Sequence, residues 1–332
     1  MTGAPHTGRP LRVGLLGCAD VALRRMLPAM VAHPEIEVTV IGSRDAARAK
    51  ASADRFGGRP VTGYEDVVAA DDVDAVYAPV PASLHATWVD AALRAGKHVL
   101  AEKPLTTDLA STRRLLDLAR DRGLALVENV MFVHHTQHRA VRELLDSAVI
   151  GELRALHAVF TIPQPPPQDI RHRPDLGGGA LWDVGVYPLR AALHFLGPAL
   201  TVAGAVLSRG AGHQVDTAGA VVLRTPQGIT AQLSFGMAHA YRSSYELHGS
   251  EGRIIVERAY TPPSDHVPLV RLESAAGART LRLAPDDQVT ATLTAFVAAV
   301  RARAQPDPAV LRLAQLLEQV RHFAPPTTAA RG

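Results

Sequence analysis

The chain has 332 residues, of which 47% are hydrophobic and 20% charged, with a formal net charge of +3. This balance predicts a globular protein of about two domains and excludes wholesale disorder and fibrous architectures. No window gathers the roughly five or six like charges of a nucleic-acid-binding or membrane-binding arm, and no apolar run of about 18 residues is present. We therefore expect no nucleic-acid or membrane partner. The single cysteine, Cys18, excludes an internal disulfide, so we expect a cytoplasmic protein.

Short apolar runs alternate with helical patterns in the first part of the chain. Strands are predicted at 11–16, 36–41, 73–78, 97–101 and 124–127, and helices at 21–33, 46–56, 83–95 and 108–122. Strands that alternate with helices indicate a parallel, doubly wound sheet. Residues 11–128 are therefore predicted to form a Rossmann domain, preceded by a disordered tail at 1–10.

Strands predominate in the second part. They are predicted at 153–162, 200–208, 218–224, 229–235, 244–248 and 253–257, with helices at 182–195, 286–304 and 308–323. Consecutive strands joined by Gly and Pro turns indicate a large, mostly antiparallel sheet with a helix against one face. Residues 129–324 are predicted to form an α+β domain for substrate binding and oligomerisation, followed by a tail at 325–332. The predicted fold class is α/β, a Rossmann domain followed by this α+β domain.

The junction between the first strand and the first helix is a candidate nucleotide site. It consists of Gly17, Cys18, Ala19, Asp20 and Val21. A glycine turn lets the backbone approach a pyrophosphate, and the helix N-terminus supplies N–H donors. Alanines replace two of the three glycines of the G-x-G-x-x-G pattern, so the prediction depends on the strand–turn–helix context. Cys18 is interpreted as a small packing residue.

The end of the second strand predicts the choice of cofactor. An NAD-preferring site usually has Asp or Glu there, whereas this chain has Ser43 and Arg44, with Arg48 one helical turn later. A serine hydroxyl and arginine guanidinium groups suit a 2′-phosphate, so the sequence predicts NADP(H). The alternative is that Arg44 is a solvated surface charge.

Glu102, Lys103 and Pro104 follow the strand 97–101 at its carboxyl end, where ligands of open α/β sheets bind. Lys103 is one of only three lysines in a chain rich in arginine. Lysine is a compact donor with a shiftable pKa, so this scarcity favours a chemical role over that of a surface charge. Glu102 either orients the ammonium or caps the turn.

Three segments together resemble the glucose–fructose oxidoreductase/inositol dehydrogenase/rhizopine-catabolism (Gfo/Idh/MocA) family. They are Glu102-Lys103-Pro104, the loop from Pro79 to His85, and the segment from Gly177 to Pro188. Within that family, residues 14–20, 132–135 and 185–188 are similar to the sugar 3-ketoreductases of dideoxysugar and antibiotic biosynthesis. The resemblance implies NADPH-dependent reduction of the C3 ketone of a dTDP-linked 3,4-diketo-2,6-dideoxyglucose, giving the dTDP-4-keto-2,6-dideoxyhexose.

The resemblance also implies two sets of ligand contacts. Cofactor contacts are expected at Pro79, Leu84, His85, Glu102 and Lys103, and substrate contacts at Lys103, Asp169, Arg171, Tyr187 and Arg190. For His85 a purely structural role is the alternative, and for Arg190 the role of an ordinary helix-surface charge.

Tyr187 stands where many family members have histidine, and Asp183 precedes it by four residues, which puts both on one helix face. A ketone reductase needs a proton donor, and tyrosine, whose ordinary pKa is about 10, is protonated at neutral pH. A nearby Lys103 would stabilise the alkoxide and lower the tyrosine pKa. Tyr187, Lys103 and Asp183 are the predicted catalytic residues, with Asp183 orienting the others. A core aromatic is the alternative for Tyr187.

Two further patterns leave alternatives open. Gly177, Gly178 and Gly179 let the backbone approach a ligand closely and leave N–H groups free near it, and a role as a loop only is the alternative. His134 and His138 have helical spacing, but the Glu of H-E-x-x-H and a third ligand are missing, so no metal site is predicted. His135 belongs to the same stretch.

Two other functions remain alternatives to a sugar-nucleotide ketoreductase. One is an NAD(P)-dependent dehydrogenase of a free sugar or polyol, and the other is a non-catalytic NADP-binding regulator. The broad face of the predicted antiparallel sheet also suggests a homo-oligomer, either a dimer or a tetramer.

Overall fold

The computed structural model describes residues 8–324 and the backbone of residues 327 and 328. Most of the two predicted tails, 1–10 and 325–332, lies outside the described residues. Within the described part of the chain, no helix is both long and apolar enough to cross a membrane.

The first sheet is parallel and has six strands. They are β1 (Leu11–Leu16), β2 (Ile36–Ser43), β3 (Arg59–Thr62), β4 (Ala75–Ala78), β5 (His98–Glu102) and β6 (Leu126–Asn129), in the order β3-β2-β1-β4-β5-β6. The connecting helices are α1 (Leu27–Ala32), which continues a π-helical turn at Ala22–Met26, α2 (Ala46–Phe56), α3 (Glu65–Ala69), α4 (Ala82–Arg94) and α5 (Leu109–Asp121). The predicted doubly wound sheet is confirmed.

Two small elements of this sheet were not predicted, β3 and α3. β3 is an edge strand whose residues are exposed except for the half-buried Val61, and it contains Pro60. An edge strand without an apolar run carries no periodic signal. α3 has only five residues, which is too short for a helical period to be recognised.

The second part forms a nine-stranded sheet. Its strands are β7 (Leu153–Thr161), β8 (Thr201–Arg209), β9 (Ala218–Arg224), β10 (Thr230–Gly236), β11 (Arg242–Gly249), β12 (Gly252–Glu257), β13 (Leu269–Ser274), β14 (Gly277–Arg282) and β15 (Thr327–Thr328). The order is β14-β13-β12-β11-β7-β10-β9-β8-β15. Only β7 with β10 and β8 with β15 pair in parallel among the described strands, so the mostly antiparallel sheet is confirmed.

Four helices complete the described part of the chain, together with short 3-10 turns. They are α6 (Thr136–Asp146), α7 (Val186–Leu196), which continues a π-helical turn at Leu181–Gly185, α8 (Gln288–Arg301) and α9 (Pro308–Phe323). The sequence did not predict α6, β13 or β14. β14 is exposed along most of its length and has no apolar period. α6 was missed although Val141, Leu144 and Leu145 have helical spacing and pack on the core, and its buried face also includes the polar Gln137 and His138.

The last helices connect the two sheets. Val289, Leu293 and Phe296 of α8 pack in one apolar core with Val13 and Met26 of the first sheet and its first helix. A segment late in the chain therefore stabilises the nucleotide-binding half. The division into domains at residues 128 and 129 stays a prediction.

The parallel order brings several of the predicted site residues to one edge. β1, β4 and β5 are adjacent, and β2 lies beside β1. Gly17, Ser43, Pro79 and Lys103 each lie at or just beyond the carboxyl end of one of these strands. The carboxyl edge of an open α/β sheet is where ligands bind.

Candidate active site

Lys103 and Asp183 meet across the two halves of the molecule. The Lys103 Nζ donates hydrogen bonds to Asp183 Oδ1 at 2.9 Å and to the Asp183 carbonyl oxygen at 2.7 Å. Their side chains are only 13% and 19% exposed. Burial raises the pKa of Asp183, but the charges of Lys103 and Arg171 outweigh it and lower the pKa to about 2. Asp183 is therefore a carboxylate that fixes an ammonium group.

Arg171 and Asp169 extend this ion pair. The Arg171 Nε donates to Asp183 Oδ2 at 2.5 Å, and its Nη1 donates to both Asp169 oxygens at 3.1 Å. Burial lowers the pKa of Lys103, but the charge and hydrogen bond of Asp183, together with the charges of Tyr187 and Glu102, outweigh burial, so the pKa is raised above its ordinary value. The chain of charges keeps Lys103 protonated at neutral pH. Four predicted site residues thus lie together.

Tyr187 lies beside this group. The Lys103 Nζ is 5.3 Å from the centre of the Tyr187 ring, and the ring packs against Phe160 and Phe132. Among the described residues, the Tyr187 hydroxyl has no hydrogen-bond partner. Its oxygen is also not fully buried, so it can be reached from outside the protein. The hydroxyl is therefore free to bond to a ligand. Asp183 lies in the π-helical turn and Tyr187 in α7, and both face Lys103.

Lys103 lowers the pKa of Tyr187, as expected, but its effect does not decide the direction of the net shift. Burial raises the pKa of Tyr187, and the Lys103 ammonium lowers it by less, so the pKa is raised above its ordinary value. The phenol is protonated at neutral pH, as a proton donor must be.

Glu102 does not orient the ammonium of Lys103. Its Oε1 accepts hydrogen bonds from the Tyr77 hydroxyl at 2.7 Å and from the Asn129 Nδ2 at 2.6 Å. Tyr77 is completely buried and Asn129 is 2% exposed. Glu102 thus joins the ends of β4, β5 and β6 beneath the site. The sequence carried no signal for this network, because Tyr77 and Asn129 lie in ordinary strand patterns.

The three consecutive glycines accommodate close protein contacts. A Cβ atom on Gly177 would lie 3.0 Å from the Ser83 nitrogen, and one on Gly178 would lie 2.5 Å from the Arg171 carbonyl oxygen. Gly177 also has a φ of +76°. These contacts favour the loop interpretation, because the glycines let the segment that leads to Asp183 pack against the start of α4.

Asp216 caps the helix that carries Asp183 and Tyr187. Its Oδ2 accepts a hydrogen bond from the Leu181 N–H at 2.7 Å, and its carbonyl oxygen accepts one from the Ala180 N–H at 2.8 Å. A Cβ on Gly179 would lie 2.5 Å from Asp216 Oδ1. The cap comes from residues far along the chain, so local sequence could not have indicated it.

His85 is buried in the protein, behind the backbone that carries Lys103. It is 1% exposed, and its Nδ1 and Nε2 lie 2.9 Å and 2.8 Å from the carbonyl oxygens of Pro104 and Val80. Both ring nitrogens face the backbone, which favours the structural alternative for His85, and its contact with a cofactor stays a prediction. Cofactor contacts of Pro79 and Leu84 stay predictions; Pro79 is buried and Leu84 half-buried.

Arg190 does not join the Lys103 group. Its Nη2 donates to Asp307 Oδ2 at 2.6 Å, and the residue is 9% exposed. It lines a cavity of about 210 Å³, together with Glu128 and His134. The expected substrate contact of Arg190 is therefore not supported, because the buried guanidinium serves an ion pair between α7 and the cap of α9.

The candidate nucleotide turn has the geometry that a pyrophosphate requires. Gly17 has a φ of +106°, which favours glycine, and its N–H donates to the Gly42 carbonyl oxygen at 2.9 Å. A Cβ at this position would lie 3.1 Å from the Tyr64 hydroxyl. Val21, at the start of the helical segment that follows, makes no side-chain capping hydrogen bond with the described residues. The N–H groups at this helix end can bind an anion. Tyr64 is a site neighbour that the sequence did not indicate.

Arg44 and Arg48 are exposed cations beside this turn. Within the part of the chain that the structure describes, neither side chain pairs with a carboxylate, whereas Asp45 between them caps α2 through Ala47 N–H. Ser43 is 6% exposed and its hydroxyl accepts from the Asp45 N–H. Two uncompensated guanidinium groups at the end of β2 fit the 2′-phosphate of NADP(H).

The contacts of the remaining candidates are with other protein groups, and the cofactor contacts of Cys18, Ala19, Asp20 and Val21 stay predictions. Cys18 is 5% exposed and its Sγ accepts a hydrogen bond from Ser52 at 3.3 Å, consistent with the predicted packing role. Asp20 is exposed and pairs with Arg24. His138 is fully buried and bonds to Tyr245 and to the Ala259 carbonyl oxygen. Among residues 8–324, no cluster of His, Cys, Asp and Glu could hold a metal ion.

Comparison with known proteins agrees with this geometry. A model described as "Oxidoreductase family, NAD-binding Rossmann fold" matches residues 11–130, and one described as "GFO/IDH/MocA C-terminal domain" matches residues 138–255. The chain belongs to the Gfo/Idh/MocA oxidoreductase family. The expected family is thus confirmed.

Several relatives of this Gfo/Idh/MocA oxidoreductase bear the same name, dTDP-3,4-didehydro-2,6-dideoxy-alpha-D-glucose 3-reductase. The protein of Actinomadura kijaniata is 52% identical over 320 residues, 96% of each chain. The protein of Streptomyces violaceoruber is 51% identical over 334 residues, 97% of this chain and 98% of the relative. Among solved structures, the 3-ketoreductase KijD10 from Actinomadura kijaniata in complex with NADP and TDP-benzene has a TM-score of 0.95 at 51% identity. That match covers 97% of this chain and all of the other.

Proposed function

We propose that this chain is an NADPH-dependent 3-ketoreductase that reduces the C3 ketone of dTDP-3,4-diketo-2,6-dideoxyglucose. The observation that supports this most directly is the Lys103–Asp183 ion pair beside the free hydroxyl of Tyr187. An ammonium and a neutral phenol that share one site suit the reduction of a ketone, because both can donate to the developing alkoxide. The substrate follows from the names of relatives about 50% identical over most of the chain.

Two parts of the site fit NADPH. The Gly17 turn and the helix that follows it would hold the pyrophosphate, and Ser43, Arg44 and Arg48 would hold the 2′-phosphate. When bound, NADPH supplies the hydride that adds to the ketone carbon.

Lys103 and Tyr187 act on the ketone oxygen. Asp183 holds the Lys103 Nζ, and this ammonium donates a hydrogen bond to the ketone oxygen and stabilises the negative charge that develops there. The Tyr187 hydroxyl, protonated because burial raises its pKa, then transfers its proton to the alkoxide. Arg171 and Asp169 keep Asp183 ionised and in place.

The deciding experiment measures the loss of NADPH absorbance with dTDP-3,4-diketo-2,6-dideoxyglucose, generated in situ by its dehydratase. Rapid loss with NADPH and slow loss with NADH is the expected result. No loss, together with NADP⁺ reduction by free glucose or inositol, would establish a sugar or polyol dehydrogenase instead. Tight NADPH binding without turnover of any sugar would indicate a regulator.

We also propose that the second sheet forms a contact between subunits. Val206 of β8 and Val222 of β9 are 59% and 41% exposed and point to the same face. Exposed valines on a broad sheet favour association of copies of the chain. Light scattering should give a dimer or tetramer for the unmodified protein and a smaller mass for Val206→Lys/Val222→Lys. A monomeric wild type contradicts the proposal.

We propose a cytoplasmic location for the enzyme. Its single cysteine is buried and forms no disulfide, as is usual in a reducing compartment. Fractionation of cells that produce the protein should recover it with cytoplasmic markers, and recovery in an extracellular or membrane fraction would contradict this location.

A further inference from the structure

Two buried side chains hold one peptide group directly after Lys103 and Pro104. The carbonyl oxygen of this peptide belongs to Pro104 and lies 2.9 Å from the His85 Nδ1. Its N–H belongs to Leu105 and donates to Glu128 Oε1 at 2.7 Å. His85 is 1% exposed and Glu128 is 9% exposed, so water does not replace these contacts easily.

The two side chains come from different elements. His85 lies on α4, which follows β4, and Glu128 lies on β6, while the peptide follows β5. His85 also reaches back to the Val80 carbonyl oxygen at 2.8 Å. The contacts therefore connect the ends of three neighbouring strands through the backbone that carries Lys103.

We propose that His85 and Glu128 are positioning residues that fix Lys103 through the Pro104–Leu105 peptide. This inference rests on the proposed function, in which Lys103 binds the ketone oxygen. Asp183 fixes the Nζ end of the Lys103 side chain, and the contacts of the Pro104–Leu105 peptide fix the backbone end, so the two together set where the ammonium lies. A displacement of about 1 Å at a reacting group lowers turnover by up to about 10²-fold.

The chemistry of the imidazole allows the two His85 contacts to be separated. Burial lowers the pKa of His85, and a neutral imidazole donates from only one nitrogen. The amide nitrogen of asparagine takes the place of Nδ1, which faces Pro104. The amide nitrogen of glutamine takes the place of Nε2, which faces Val80. The proposal requires that the contact with Pro104 be the one that supports catalysis.

The test compares His85→Asn and His85→Gln with a control, His98→Gln. His98 accepts a hydrogen bond from the Ala125 N–H at the opposite, amino end of β5. His85→Gln is expected to lower kcat about 10-fold while the KM for NADPH stays within about 2-fold. His85→Asn should recover most of that loss, and the control should stay within about 2-fold of wild type.

Three outcomes would overturn the proposal. Equal loss of kcat in the Asn and Gln variants would show that the contact with the Pro104 carbonyl oxygen does not support catalysis. A raised KM for NADPH at unchanged kcat would indicate cofactor binding by His85. A loss of kcat that matches the loss of folded protein, measured by circular dichroism, would indicate a purely structural role.

Glu128 provides a second test of the same peptide. Its Oε1 acts as an acceptor, so Glu128→Gln keeps the contact with Leu105 and Glu128→Leu removes it. The leucine variant should lower kcat about 10-fold, and the glutamine variant should recover most of the loss. Equal activity of the two variants contradicts the proposal.

A spectroscopic measurement separates this inference from the proposed function. The chain has only three lysines, Lys50, Lys97 and Lys103, so [13Cε]lysine labelling gives three NMR signals. In His85→Gln and Glu128→Leu the Lys103 signal should move while the other two stay in place. An unmoved signal contradicts the inference. Inactivity of the wild type with the dTDP sugar contradicts only the proposed function.

Discussion

The proposed cofactor region and the proposed catalytic region of this molecule use charge in opposite ways. Arg44 and Arg48 are exposed at the end of β2 and pair with no carboxylate of the described residues. Lys103, by contrast, is 13% exposed and bonded to Asp183. The first region attracts an anionic group because its charge is uncompensated, while the second holds one ammonium group at a defined point because its charge is balanced.

The difference predicts which step each region controls. An exposed cation contributes mainly to binding, and salt screens its effect. A buried and fixed donor acts on charge that develops during the reaction, so its removal lowers kcat. The following variants are ordered by expected effect, and each one tests this division.

Lys103→Ala should lower kcat by about 10²-fold to 10³-fold, because the alkoxide loses its nearest cation. Tyr187→Phe should lower kcat by about 10²-fold, because it removes the proton donor and leaves the ring in place. The Kd for NADPH, measured by fluorescence, should stay within about 2-fold in both variants.

The control for these variants is Lys50→Ala, which removes an exposed lysine that pairs with Asp54. It should leave kcat unchanged. If Tyr187→Phe keeps more than about a tenth of wild-type turnover, Lys103 becomes the immediate proton donor. Wild-type turnover in Lys103→Ala would contradict the claim that the buried ammonium group controls kcat.

Arg44→Ala/Arg48→Ala should raise the KM for NADPH by about 10-fold to 10²-fold, because two charged contacts with the 2′-phosphate are lost. The KM for NADH and the kcat should change by less than about 2-fold. Arg55→Ala, near the other end of α2, is the matched control and should change neither. Equal losses for NADPH and NADH would show that the arginines do not recognise the 2′-phosphate.

Acid should destabilise the fold because the buried histidines His138 and His194, close to Tyr187, are neutral in the folded protein. Phe132 packs on both Tyr187 and His138, and burial lowers the pKa of His138 to about 3 and that of His194 to about 4. The unfolded chain binds these protons near pH 6.5, so stability is full above that pH. The free energy of unfolding then falls as the pH drops towards 4, by about 1.4 kcal/mol per pH unit for each of the two histidines.

Urea unfolding at pH 7.5, 6.5 and 5.5 tests this dependence. His138→Gln should reduce the slope of the unfolding free energy against pH by about 1.4 kcal/mol per pH unit, because unfolding then binds one proton fewer. His322→Gln, which changes an exposed histidine on α9, should leave the slope as it is. A wild-type free energy of unfolding that stays constant from pH 7.5 to 5.5 would contradict the prediction.

Asp216→Ala should cost about 1 kcal/mol of stability, the usual effect of losing a helix cap. It should also lower kcat several-fold, because the capped helix carries Asp183 and Tyr187. Asp287→Ala removes the cap of α8, a helix that carries none of the predicted site residues, and should cost similar stability without changing kcat. If the two variants lower kcat equally, the cap has no special role in the site.

Most regular elements could be predicted from the sequence, because their apolar residues recur with the period of a strand or a helix. The helices α2 and α9 and the strands β1 and β9 match the predicted bounds. The edge strand β3 was missed because it is exposed and has no apolar period, whereas α6 was missed although Val141, Leu144 and Leu145 follow a helical period.

The site was predicted unevenly. Gly17, Arg44 and Lys103 lie at strand ends, which sequence order indicates directly. Glu102, His85 and Arg190 were given ligand roles, but their side chains bond to Tyr77, Pro104 and Asp307. A sequence motif indicates that a residue lies near a site, and it does not indicate which way the side chain points.

The sequence by itself indicated the alternation of strands and helices in the first sheet, the glycine turn, the cations at the end of β2 and the residues of the proposed catalytic group. These features depend on local periodicity and on residue type. Only the tertiary structure decided that Lys103 meets Asp183 and that Asp216 caps their helix, because these partners are 80 and 35 residues apart in the chain. It also decided the pKa of Tyr187, because the burial that raises this pKa comes from packing between distant segments.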